Sequence, residues 1–402
     1  MALRPRIYDA MLAEHLDRHR QMALVTGPRQ VGKTTACGVV STQRLNWDDP
    51  DDRGIVLRGP AAVARHAGLD RLGQGAPVVL FDELHKFGRW KSFLKGFFDT
   101  FADRARIVVT GSSRMDVFRR GGDSLMGRYF LYRMHPFTVA EALTAALPDA
   151  RSILRPPSRI GPADFAALWE HGGYPEPFVK RDPRFTRRWM DLRFHQLVRQ
   201  DVRDVAQIHQ IAQLEVLANI LAAQSSEQLT YSRLARDVQI SVDTARRWVD
   251  TLCGLHLGFR LRPWFRNVTR SLRKEPKWFL RDWSGITDPG KRVETFVASH
   301  LLKAVEGWTD LGLGRFGLHF IRDKDGHEVD FVVTRDEAPW MLVEAKKADE
   351  RLSPWLEEFQ RQTKAPHALQ VVLDADYVDA DCFSDPGRPL IVPARTFLSQ
   401  LL

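Results

Sequence analysis

The segment Gly27-Pro-Arg-Gln-Val-Gly32-Lys33-Thr34 constrains this chain more than any other. It matches G-x-x-x-x-G-K-[ST], with the apolar run Met-Ala-Leu-Val-Thr before it and a helical pattern from Gly32 after it. A loop of this kind needs a strand to deliver it and a helix amino terminus to receive it, because backbone N–H groups and the helix dipole hold phosphate together. In that geometry Gly27, Pro28, Arg29, Gln30, Val31 and Gly32 surround the β-phosphate, and Lys33 reaches the β- and γ-phosphates. Thr34 ligates Mg²⁺ and Thr35 lies near the α-phosphate. The expected cofactors are therefore ATP and Mg²⁺.

A chain with such a loop should place further groups at the carboxyl ends of neighbouring strands. The run Val78-Val-Leu-Phe81 ends in Asp82-Glu83. Asp82 is expected in the Mg²⁺ hydration shell, and Glu83 beside the attacking water as general base. A third apolar run, Arg106–Thr110, leads into Gly-Ser-Ser-Arg, where Ser112 or Ser113 can act as a polar sensor of the γ-phosphate. Arg114 and Arg128 are candidate charge stabilisers, in their own chain or on a neighbouring copy. His85 is a weaker candidate for the γ-phosphate region, since a lone histidine is more often structural. Strands alternating with helices predict an α/β domain with a mostly parallel sheet, ending near Leu147 where the sequence becomes loop-like.

Charge narrows the partners. The 59 basic and 50 acidic residues leave a net +9, which suggests a polyanion. Between Glu227 and Gly285 there are 12 Lys or Arg against 6 Asp or Glu, so much of the excess is central. There Leu229–Val238 and Ser241–Asp250 read as two helices joined by a short turn, the first capped by Thr230. Val242, Ala245, Val249 and Leu252 are expected on the core side of the second helix. Asp243, Thr244, Arg246 and Arg247 are then exposed, the two arginines being candidate nucleic-acid contacts, with Leu257–Arg262 as a wing. A docking module or an ATPase lid fits the same pattern. Cys37, Cys253 and Cys382 are too dispersed for a disulfide framework or a paired zinc site. No apolar run reaches the roughly 18 residues that cross a bilayer, and charge interrupts the amino terminus, so a cytoplasmic protein without a membrane partner is expected.

The carboxy-terminal third carries a second constellation. His327–Val333 and Trp340–Lys346 alternate in polarity about a turn, as a β-hairpin does. With the turn centred on Glu337, partners are positions whose numbers total 674, which sets Asp330 opposite Glu344. Lys346, two residues on, then shares the face of Glu344. Asp330 and Glu344 can hold a divalent cation, Mg²⁺ or Mn²⁺, that activates water, while Lys346 orients the nucleophile. Glu328 shares the Asp330 face. A hairpin with a charged outer face is the competing explanation.

Taken together, GPRQVGKTT, VVLFDELHK, VVTGSSR, LMGRYF, GGYPEPF, EVDFVV and LVEAKK resemble the prokaryotic AAA-type ATPases that carry a carboxy-terminal domain of unknown function. The hairpin resembles the D…E-x-K core of restriction-endonuclease-like nucleases. The resemblance implies an additional-strand P-loop core at 1–147, a linker and helical lid at 148–225, a winged helix at 226–285 and a nuclease-like α/β domain at 286–402. It also implies that a carboxylate on the preceding helix, matched by Glu294, completes the carboxy-terminal site. His85 departs from the family, where glutamine is frequent, and GGYPEPF is expected to be a structural turn. The expectation is an ATP-hydrolysing protein whose nucleotide state repositions a nuclease-like domain on DNA, alone or in a homo-oligomer. The rival is a nucleotide-gated scaffold whose nuclease fold is inactive.

Overall fold

A computed structural model of the chain describes residues 4–70, 75–111, 125–149, 151–202, 210–265, 274–348 and 351–402. The chain divides into one unit formed by 1–135 and 145–147 and a second formed by 136–144 and 148–402.

The first unit is organised by β1 (Met22–Thr26), β2 (Gln43–Asn46), β3 (Val78–Asp82), β4 (Arg106–Thr110) and β5 (Tyr129–Arg133). They pair in the order β2-β3-β4-β1-β5, every pair parallel. All five residues of β1 are buried, as expected of a central parallel strand covered on both faces. One face is filled by Leu24, Phe81, Leu94 and Phe97 among others. The α/β layout anticipated from β1, β3 and β4 is present, with β4 inserted between β1 and β3. That order brings the loop after β1, Asp82 at the end of β3 and Thr110 at the end of β4 to one edge of the sheet.

In the second unit the stretch read as helical contains Pro162–His171, Pro175–Lys180, Pro183–Gln196 and Ile211–Ala223. Three begin with proline in the first turn, where its missing N–H has no intrahelical partner to lose. Asp182 caps the third by accepting from the N–H groups of Arg184 and Phe185. GGYPEPF is more than a turn, because its proline opens a helix. Its two glycines admit close neighbours: a Cβ on Gly172 would lie 2.7 Å from Asp282 Oδ1, and one on Gly173 would lie 2.4 Å from the Phe137 carbonyl oxygen.

Helices Tyr231–Val238 and Val242–Gly254 follow, joined by the expected short turn. Two details differ from expectation. Trp248 is buried with Ala245, Val249 and Leu252, whereas Val242, in the first turn, is exposed. Thr230 stands at the amino-terminal cap position, but its hydroxyl donates to Glu275 rather than capping the helix. Ser241 caps the second helix through the Thr244 N–H.

The remaining strands are β6 (Gly258–Pro263), β7 (Lys277–Leu280), β8 (Phe316–Arg322), β9 (Glu328–Arg335), β10 (Ala338–Lys346), β11 (His367–Val372) and β12 (Pro389–Pro393). They form one sheet in the order β12-β11-β10-β9-β8-β6-β7. β6 and β7 are antiparallel, and β6 continues in parallel onto β8 through Arg262 beside His319. Helix Pro289–Asp310 packs against β8, β9 and β10. No helix among the described residues is long and apolar enough to cross a membrane.

Candidate functional site

Two clusters of chemistry stand out, one in each unit. At the carboxyl edge of the first sheet, Gly27 has φ +150°, and a Cβ there would lie 2.3 Å from the Met134 carbonyl oxygen. Only glycine fits. Gly32 adopts φ +99° as the amino-terminal cap of helix Lys33–Val40, which leaves the backbone free of side-chain cover where the helix begins. The buried Lys33 ammonium donates to the carbonyls of Gly27 (2.9 Å) and Pro28 (2.7 Å). Burial, opposed by Glu83 and then Asp82, lowers its pKa to about 8. Pro28 and Val31 are buried, whereas Arg29, Gln30 and Thr35 are exposed.

Asp82, 2% exposed, accepts from Thr34 Oγ1 at 3.1 and 3.2 Å, from Thr110 Oγ1 and from Arg44 Nη2 at 2.7 Å. A hydroxyl and a carboxylate at this spacing form an oxygen donor set that suits Mg²⁺ with several waters retained. Glu83 has φ +55°, a left-handed conformation that non-glycine residues seldom adopt outside functional or strained sites. Its carboxylate lies 3.7 Å from His85 Nε2 and 3.6 Å from Lys86 Nζ.

Two residues absent from the motif support this edge. Arg6 sends Nη1 to the Val31 carbonyl and Nη2 to the His135 carbonyl, both at 2.6 Å, fastening the phosphate loop to the end of β5. Arg44 supplies the ion pair to Asp82. Arg128 requires a correction. It precedes β5, its carbonyl accepts from Met22 N–H at the amino end of β1, and its guanidinium is paired with Asp99. The loop lies at the other end of β1, roughly 17 Å away at 3.3–3.4 Å per residue. Arg128 therefore cannot face a γ-phosphate bound by its own chain. Ser112, Ser113 and Arg114 lie outside the described residues.

The second cluster lies on the other sheet. Asp336 and Glu337 have φ of +49° and +73°, giving a tight two-residue turn. An irregularity between Pro339 and Met341 then shifts the register, so that Val343 faces Phe331, with Asp330 and Glu344 one position beyond that pair. The two carboxylates expected to face each other lie within hydrogen-bonding reach of one another's strand. Asp330 N–H donates to Glu344 Oε2 at 3.4 Å, and Ala345 N–H donates to Asp330 Oδ2 at 3.0 Å. Lys346 Nζ is 2.8 Å from Glu344. Burial, and then the Asp330 carboxylate, push Glu294 up to about 8 and Glu344 up to about 7.

The sequence reading did not include Lys277. This lysine of β7 is 6% exposed, and its ammonium is bonded to Glu328, 3.7 Å from Asp330 Oδ1 and 3.8 Å from Glu294 Oε2. Burial alone would lower its pKa, but Asp330, Glu294 and Glu328 outweigh that and hold it above the usual lysine value. Asp330 and Glu344, with Glu294 and Glu328 nearby, offer oxygen ligands of the kind Mg²⁺ or Mn²⁺ takes. The candidate nucleic-acid residues are exposed but engaged: the Arg246 guanidinium lies 4.6 Å from the Tyr231 ring centre, and Arg247 donates to Thr244 at 3.3 Å.

Comparison with known proteins agrees with the first cluster. Residues 19–143 match a family described as a AAA domain, in keeping with a nucleotide-binding phosphate loop in this part of the chain. Residues 162–286 and 289–380 match two families described as domains of unknown function, DUF8612 and DUF4143. Over 265 residues the chain is 25% identical to uncharacterized proteins Rv2008c of Mycobacterium tuberculosis and Mb2031c of Mycobacterium bovis. The match covers 65% of this chain and 54% of theirs, so it spans about half the length of these relatives. A solved structure of C. elegans PCH-2 aligns over 60% of this chain and 66% of its own, with 15% identity and a TM-score of 0.24. That likeness is too slight to bear on the fold.

Proposed function

We propose that this chain hydrolyses ATP at the edge formed by β1, β3 and β4, and that its second unit carries a nuclease-type cation site whose state is tied to the protein's conformation. The observation that supports the ATPase reading best is the convergence of Lys33, Thr34 and Asp82 around a loop where Gly27 admits no side chain. When bound, Mg²⁺ would supply charge neutralisation between the β- and γ-phosphates. Thr34 and Asp82 would hold it. Lys33 would exchange its two carbonyl partners for phosphate oxygens, and the backbone N–H groups of the loop and helix start would bind the β-phosphate. Glu83 would orient the attacking water once freed from His85 and Lys86. Arg128 would serve a neighbouring copy.

The test is phosphate release by wild type and Lys33→Ala, each with and without DNA. We expect turnover in the wild type to fall by at least about a hundredfold in the variant, because transition-state contacts to the γ-phosphate are lost. Unchanged turnover in Lys33→Ala would refute the site. Stimulation by DNA would support nucleic acid as the partner of the exposed face carrying Arg246 and Arg247. The buried position of Lys277 among the carboxylates favours a second reading, a nucleotide-gated scaffold in which the carboxy-terminal cluster is structural. Incubating DNA with the protein and Mg²⁺ or Mn²⁺ separates the two, because cleavage lost in Asp330→Ala belongs only to the nuclease reading.

A further inference from the structure

Lys277 reaches the carboxylate cluster from outside the hairpin that builds it. Asp330 and Glu328 belong to β9, Glu344 to β10 and Glu294 to helix Pro289–Asp310, whereas Lys277 comes from β7 at the far edge of the same sheet. Its ammonium contacts three of the four carboxylates, and its side chain is only 7% exposed. β7 is also tied to the residues that lead into the helix–turn–helix. Ser226 N–H donates to Trp278 carbonyl, Trp278 N–H to Glu227 carbonyl and Leu229 N–H to Pro276 carbonyl, and Gln228 bridges to Lys277.

Resting on the reading of Asp330 and Glu344 as a cation site, we infer that Lys277 is a built-in counter-cation that keeps this site closed. A divalent cation drawing on the same carboxylates would stand within a few ångströms of the ammonium, and two cations at that spacing repel strongly in a poorly hydrated pocket. Lys346, 36% exposed and screened by water, can stand beside such a metal, whereas the buried Lys277 competes with it for Asp330. Because β7 is bonded to residues 226–229, a movement of the following helix pair is the route by which the ammonium is withdrawn.

The experiment is a Mn²⁺ titration of the nucleotide-free full chain, reading free Mn²⁺ by electron paramagnetic resonance. Wild type, Lys277→Arg, Lys277→Met and Lys277→Met/Asp330→Asn are compared. Lys277→Met should gain a site at least about tenfold tighter than any in the wild type, a difference easily resolved in Kd. Lys277→Arg should stay closed, and Asp330→Asn should abolish the gain. The charge-matched Lys277→Met/Glu294→Gln, which removes one cation and one anion, serves if Lys277→Met alone fails to fold, and it should gain the site as well. Wild type binding Mn²⁺ as tightly as Lys277→Met, or no site in either folded Lys277→Met background, would overturn the inference. DNA incubated with the same variants keeps the underlying reading separate: Mn²⁺ bound through Asp330 with DNA intact retires the nuclease reading and upholds the closure.

Discussion

Asp82 illustrates how far a single buried carboxylate depends on its donors. Thr110 is fully buried and Arg44 is half exposed, yet both bond the same carboxylate. Thr110→Val keeps the shape and strips a donor from a buried charge, which should destabilise the first unit by about 1–3 kcal/mol. Arg44→Gln removes a solvent-screened partner and should cost less than about 1 kcal/mol. Urea unfolding of the two variants gives the order, and a larger loss in Arg44→Gln would contradict this account. Lys33, Thr34 and Asp82 were legible because a phosphate loop is local and its carboxylate follows an apolar run. Asp330 and Glu344 were legible because strand pairing follows simple counting. Arg6, Arg44 and Lys277 were not: each meets its partners only after folding, across 25 to 129 positions for Arg6 and 38 for Arg44, and none belongs to a motif.

Among the elements, the sequence reading was best where strands are continuous apolar runs and weakest at sheet edges. β2 reads Gln-Arg-Leu-Asn and β5 Tyr-Phe-Leu-Tyr-Arg, and each is an edge strand of the sheet among the described residues. Their mixed polarity hid them. The β9–β10 register came out as counted only because the irregularity near Trp340 offsets a turn centred half a residue from the assumed position. Helix Val139–Leu143 gave no sign of what it does. Its Glu141 is buried and ion-paired with Lys303 of helix Pro289–Asp310, their side chains 0% and 1% exposed. Glu141→Ala should destabilise the second unit by about 3–5 kcal/mol by stranding the ammonium, whereas replacing both partners with apolar residues of similar volume should be close to neutral. A thermal or urea series on the single and double variants decides. A single variant as stable as wild type would show that the pair is not held as described.

For the molecule as a whole, the buried histidines make acid destabilising in each unit, while in the second the raised Glu294 and Glu344 act in the opposite sense as pH falls from about 8 toward their ordinary value. His15 in the first is held at about 4 and His300 in the second at about 3, each lowered mainly by burial from an ordinary 6.5. His300 contacts the Phe296 carbonyl through Nδ1 and accepts the Val139 N–H at Nε2. The unfolded chain takes up a proton near pH 6.5 that the native site refuses, so this contribution to stability is present above 6.5 and lost as pH falls toward 3. For the fully buried His300 the loss is on the order of a few kcal/mol. His300→Gln, which keeps an acceptor for Val139, should remove this loss, making the second unit more stable at pH 4 relative to pH 6.5 than it is in the wild type. Tryptophan fluorescence follows it well, since most of the 11 tryptophans lie in the second unit. An unaltered slope would remove His300 as the cause. The shared sheet has a further consequence, for dissection. The two families of unknown function meet between residues 286 and 289, and strands on both sides of that boundary pair edge to edge. A fragment beginning there would uncover the β8 edge for pairing with other chains and would also shed Lys277. A metal-binding or cleavage assay on such a truncated piece would report a site from which the protein's own cation had been cut away.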